Sequence, residues 1–111
     1  MPARDTVYCC LVEVRPQPGC ELDPRQVAGA FVRCYALAED EASAQQQIRA
    51  ALAAKRFEVV EIGWTADTYH PAWEPPDPDE AERCRTWAER TRLVTHGRFD
   101  AWAPEPNDCP V

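Results

Sequence analysis

Residues 6–16, TVYCCLVEVRP, are apolar on both faces of a strand. Tyr8, Cys10, Val12 and Val14 point one way, and Val7, Cys9 and Leu11 point the other. Side chains alternate along a strand, so solvent on either face would meet a row of apolar groups. Such a strand is expected in the middle of its sheet, or covered on both sides. Pro16, Pro18 and Gly19 end it.

The rest of the chain must supply its neighbours. Asp23, Pro24 and Gln26 in ELDPRQVAG read as one capped helical turn, closed by Gly29. AFVRCYALA, residues 30–38, is a second strand. Phe31, Tyr35 and Leu37 share one face with Arg33 among them, and Val32, Cys34 and Ala36 form the other. Asp40 caps a helix, EASAQQQIRAALAAKR, whose Ala44, Ile48, Ala51, Leu52 and Lys55 make a narrow buried stripe, with Gln45–Gln47 mostly outside. FEVVEIGWTADTY, residues 57–69, is the third strand, where Gly63 marks a bulge or a close backbone approach. DEAERCRTWAERTRLVTH is a second helix, capped by Asp77 with Pro78 at its first position and Glu80 closing a capping box. Its buried side is expected to include Ala81, Cys84, Trp87, Ala88 and Thr91, with His96 in the last turn and Gly97 just beyond it. RFDAWA, residues 98–103, is a weak edge strand with Phe99 and Ala101 inward.

The helix between strands two and three implies a right-handed crossover, which makes those strands parallel. Strand one fits between them, giving the order 2-1-3. The expected class is α+β: a two-layer sandwich with a mainly antiparallel sheet of three or four strands and both helices on one face. The layout resembles a ferredoxin-like plait in general terms, but the order ββαβαβ departs from β-α-β-β-α-β, and the plait carries no function of its own. The chain reads as a single domain over residues 1–111. Residues 70–78 are a Pro-rich connecting loop and 104–111 a flexible tail.

Charge removes several functions. With a formal charge of −7, the chain lacks the positive field that nucleic-acid phosphates require, and anionic membranes disfavour it equally. No apolar run approaches a membrane span, and no secretory signal is visible in MPARDTVYCCLVEV, so a cytoplasmic location is expected. The abundance of Ala, Arg and Pro fits a GC-rich, bacterial coding origin. The six cysteines, Cys9, Cys10, Cys20, Cys34, Cys84 and Cys109, have no zinc-ligand spacing. Adjacent Cys9 and Cys10 point to opposite faces, whereas Cys10 and Cys34 are placed to meet across strands.

Catalytic chemistry finds little footing. No phosphate-cradling, nucleophile-elbow or zinc-helix motif occurs. A Cys–His nucleophile pair would draw on Cys84 or Cys109 with His70 or His96. Glu13 and Glu61 would face each other if their strands pair, as exposed neighbours rather than a catalytic pair. No catalytic residue, metal ligand or cofactor is assigned.

Aromatic residues are more telling. Trp64 and Trp87 are expected in the core. Trp73, between prolines, and Trp102, near the C-terminus, either fold back over an open sheet face or meet a partner. Tyr69, His70, Trp73 and Trp102 are therefore the candidate ligand- or partner-binding residues. The expected function is a non-catalytic protein-binding or self-associating module, a homodimer included; an inhibitor or immunity-type protein facing a basic partner is one example. The alternative is a small-molecule sensor or enzyme whose site lies between the sheet and the 69–82 loop, lined by Tyr69, His70, Trp73 and Cys84.

Overall fold

A computed structural model describes residues 5–104. The elements are β1 (Thr6–Pro16), β2 (Gly29–Ala38), α1 (Glu41–Ala54), β3 (Phe57–Asp67), α2 (Pro78–Thr91), β4 (Thr95–His96) and β5 (Asp100–Trp102). They form one antiparallel sheet in the order β3-β1-β2-β4, with β5 also paired to β2. The α+β class, the element order and the central place of β1 follow the sequence expectation. β1 pairs with β2 from Thr6↔Ala38 to Val14↔Ala30, and with β3 from Tyr8↔Asp67 to Pro16↔Phe57. Thr95–His96 and residues 100–102 form two short strands where one weak strand was expected over 98–103; Phe99 packs on the core as expected, but Ala101 is exposed.

The helices lie on opposite faces, which corrects the expected one-face arrangement. Ala44, Ile48 and Leu52 of α1 pack on Cys10, Val12, Val14, Val32, Cys34 and Ala36. Ala81, Cys84 and Ala88 of α2 pack on Val7, Cys9 and Tyr35, whose side chains leave the sheet the other way. α1 already fills the first face across β2 and β3, so the second apolar row of β1 gains its cover from α2. Gln45 and Gln47 are half-buried rather than outside: their side-chain amides donate to Thr65 Oγ1 (2.8 Å) and to the Leu37 carbonyl (3.2 Å).

Both helix starts form at the expected caps, but Glu80 does not close the expected capping box: its carboxylate accepts from the Arg98 amide at 3.4 Å instead. Asp40 Oδ1 accepts from the Ser43 amide at 2.7 Å, and Asp77 Oδ1 accepts from the Glu80 amide at 3.1 Å. These bonds satisfy amides that the first turn leaves without carbonyl partners. The Ser43 bonds hold the Asp40 carboxyl below its ordinary value. The end of α2 departs from expectation. Arg92 adopts a left-handed conformation (φ 59°) and closes the helix, so His96 belongs to β4 and Gly97 is not the cap. Trp87, expected in the core, is 57% exposed, because α2 buries only the Ala81–Cys84–Ala88 stripe.

No helix among the described residues is long and apolar enough to cross a membrane. Of the expected tail, residues 105–111 lie outside the described residues, and Cys109 with them. Replacing Asp77 with Ala is expected to lower unfolding stability by about 1 kcal/mol, read from the urea midpoint; an unchanged midpoint would show that the cap does not hold α2.

Candidate functional site

The second sheet face is only partly covered. α2 lies over β2 and β4, touches β1, and makes no contact with β3 among the described residues. The row Cys9–Tyr35 is sealed, with Trp73 set edge-on to the Tyr35 ring at 6.4 Å. The next row, Trp64–Leu11–Arg33, is half open, and beyond it come Glu61–Glu13–Phe31 and then Glu58–Arg15. Three large aromatic residues stand on this uncovered half: Phe31 (41% exposed), Trp64 (40%) and Trp102 (39%). Trp102 lies over Gly29, where an added Cβ would overlap its indole, and its ring is 5.2 Å from Phe31.

A groove of about 610 Å³ runs beside this face. One wall is Trp64, Thr65, Ala66 and Asp67 of β3; the other is the loop carrying His70, Ala72, Trp73, Glu74, Pro75 and Pro76. Arg33 and Glu41 complete it. Arg33 Nε is buried with no hydrogen-bond partner among the described residues. Arg33 leaves β2 among apolar neighbours, and its side chain also lines a smaller pocket bounded by Pro75, Pro76, Asp77 and Glu80.

The four residues singled out in the sequence do not converge. His70 and Trp73 line the groove. His70 is exposed and accepts from the Ala72 amide through Nδ1 (3.1 Å), a local turn contact. Trp73 is half-buried against Tyr35, acting in part as a cover. Tyr69 points elsewhere: the Arg85 guanidinium of α2 sits 5.1 Å from its ring centre. Trp102 is on β5, beside Phe31. Cys84, also considered for a ligand site, is on the buried side of α2 and is not among the groove residues.

Of the Cys–His pairs considered, those with Cys109 lie outside the described residues, and Cys84 and His96 are not brought together. Cys84 belongs to the α2 cluster, while His96 pairs with Cys34, whose side chain lies on the α1 face. The sheet therefore stands between Cys84 and His96. His96 Nδ1 contacts the Gly97 carbonyl at 2.6 Å, and the ring lies against Phe99. Cys10 and Cys34 are direct cross-strand partners as free thiols, and Cys10 Sγ shares a hydrogen bond with Thr65 Oγ1 at 3.3 Å. Burial pushes the Cys9 thiol up to about 12, and pushes Cys10, Cys34 and Cys84 up as well. A thiolate is the reactive form, so these groups behave as small apolar fillers near neutral pH. Glu13 and Glu61 are direct cross-strand partners on the uncovered half, with Glu61 exposed. Among the described residues, no three His, Cys, Asp or Glu side chains are grouped to hold a metal ion.

Trp64 and Arg33 are the site residues that pattern reading missed. Trp64 alternates with apolar neighbours and so reads as core. Arg33 offered a signal, a charge set between Phe31 and Tyr35 on one face. Comparisons with protein-family models, curated proteins and solved structures gave no match.

The buried thiols make stability sensitive to alkali. An unfolded thiol releases its proton near its ordinary value of 9.0, while folded Cys9 holds it to about 12. The contribution is complete below about 9 and is lost as pH rises toward 12. The urea midpoint should therefore fall between pH 8 and pH 10.5. Cys9→Ala should lower the midpoint at pH 8 but flatten the decline; an equal decline in both proteins would remove Cys9 as a cause.

Proposed function

We propose that this chain is a non-catalytic binding protein that engages a basic protein partner through the uncovered half of its second sheet face. The observation that carries the reading is the trio Phe31, Trp64 and Trp102, each about two-fifths exposed on one surface. Large, stiff aromatic side chains give contact area at low entropic cost and are enriched where binding energy concentrates. A second observation points to the partner's charge. Glu13, Glu58 and Glu61 share this half-face with Arg15 and Arg33, and the whole chain carries −7. A basic surface would be steered toward it, whereas a second copy would bring like charge. A cytoplasmic setting belongs to the proposal, in keeping with the free thiols at Cys9, Cys10, Cys20, Cys34 and Cys84.

A second reading, a small-molecule sensor or enzyme, draws on the groove lined by His70 and Trp73. Its size suits a small ligand. It is the weaker reading, because the His70 ring is exposed and tied to its own turn, and Trp73 leans on Tyr35.

The test is affinity capture from a source-cell lysate with tagged full-length protein, followed by sedimentation of the purified chain. A basic protein should be retained and released by salt. Phe31→Ser and Trp64→Ser should each retain at least about tenfold less, the range of a hot-spot truncation. Trp87→Ser, on the outer side of α2, should retain it unchanged. If nothing basic is captured and the chain sediments as a monomer, or if Trp87→Ser loses as much as the others, the reading fails.

A further inference from the structure

β3 lies at the margin of the sheet. Among the described residues it pairs with β1 alone, leaving the amides and carbonyls of its outer side without strand partners; at its end the Asp67 carbonyl accepts from the His70 amide at 3.1 Å, so the free edge stops short of that carbonyl. Two register shifts divide that edge. Val60 and Gly63 have no partner on β1 and are the extra residues of the two irregularities. Bulges of this kind turn a strand and spoil its use as a template. Trp64–Asp67 is the longest stretch they leave regular, pairing in step with Leu11, Cys10, Cys9 and Tyr8.

That stretch is also one wall of the groove. Successive side chains of a strand point to opposite faces. Trp64 and Ala66 share the face of Arg33, whereas Thr65 and Asp67 share the other face with Cys10 and Tyr8, so the groove reaches from the second face round the backbone edge of β3. The opposite wall holds Pro75 and Pro76, which have no amide hydrogen to offer that edge.

Building on the proposed basic partner, we infer that the groove accepts an extended, arginine- or lysine-bearing segment of that partner, which pairs with Trp64–Asp67 as an added strand. Backbone pairing supplies affinity in this mode, and pockets beside it select alternate side chains. The groove suits a cation: Trp64 and Trp73 offer aromatic rings, on which a guanidinium stacks well. Its charged side chains are the carboxylates of Glu41, Asp67 and Glu74 against the guanidinium of Arg33. Self-pairing is disfavoured by composition. β3 carries Glu58, Glu61 and Asp67 and no basic residue, so two copies edge to edge would meet acid with acid.

The test uses the full chain and three nine-residue peptides: alternating Arg and Val, the same peptide N-methylated at alternate amides, and its Glu-for-Arg counterpart. Binding is read by tryptophan fluorescence, and its place by amide hydrogen exchange. The Arg peptide is expected to bind at least about tenfold more tightly than either control and to slow exchange within residues 64–67. If the N-methylated peptide binds equally well, or protection falls on residues 29–33 instead, the strand-addition mode is overturned while the basic-partner reading stands. If no peptide binds, or the Glu peptide binds as tightly, the inference is overturned, and the capture experiment still decides the underlying reading. Protection at 64–67 that grows with protein concentration alone would overturn it in favour of self-pairing.

Discussion

The pairing of β1 with both β2 and β3 is the constraint on which the rest of this structure depends. An eleven-residue strand with apolar side chains on both faces needs a strand on each side and a layer on each face. Val7, Cys9, Cys10, Val12 and Val14 are all fully buried as a result. The antiparallel return to β2 and the helical crossover to β3 complete the pairing. Once α1 has covered Cys10, Val12 and Val14, the row of Val7 and Cys9 still faces outward, and only α2 and the Trp73 loop remain to cover it.

That cover is unequal, and the inequality creates the site. α2 is a fourteen-residue helix whose buried stripe is Ala81, Cys84 and Ala88. Small residues let it approach the sheet closely but span little width. It seals Tyr35 and Cys9 and leaves Leu11, Phe31, Trp64 and Trp102 in partial contact with water. Uncovered apolar area on this scale marks a contact surface or a liability. Acidic side chains, Glu13, Glu58 and Glu61, stand beside those aromatics, and the proposed basic partner rests on that pairing of charge with apolar area.

Most of the framework was legible in the sequence, because it rests on local signals. The double-faced β1 and the caps at Asp40 and Asp77 each follow from a few adjacent residues, and Gly63, open to a bulge or a close approach, proves to be a bulge. The choice of face for α2 was not local. Periodicity names a buried stripe but not the surface that receives it, and the uncovered row of β1 was equally open to a loop or a partner. Trp87 shows the same limit. It follows Cys84 at helical spacing, yet the receiving surface meets the stripe through Ala88 and leaves the indole outside. The end of α2 was misread for a conformational reason: a non-glycine residue, Arg92, takes the left-handed cap, and the sequence offered Gly97 instead. Of the candidate residues, His70 and Trp73 share the groove, while Tyr69 and Trp102 are carried away by Arg85 and Phe31.

The two irregularities of β3 give the margin of the sheet a division of labour. A regular eleven-residue edge would pair with any extended chain, including another copy. Val60 and Gly63 break its lower part, where the acidic Glu58 and Glu61 point into solvent. The upper part stays in register with β1, because the polar bonds around Thr65 fasten it to α1: Gln45 donates to Thr65 Oγ1, and Cys10 lies beside it. Asp67 Oδ1 then accepts from the Tyr69 amide and turns the chain out of the strand, and the Pro-rich loop crosses back over the second face to set Trp73 against Tyr35. The same local geometry thus fixes the strand, aims the loop and keeps the space between them. Pro75 and Pro76 in the loop wall have no backbone amide with which to donate into that space. The prolines of the connecting loop thus leave the amide-donating role at this edge to another chain, as the proposed strand addition requires.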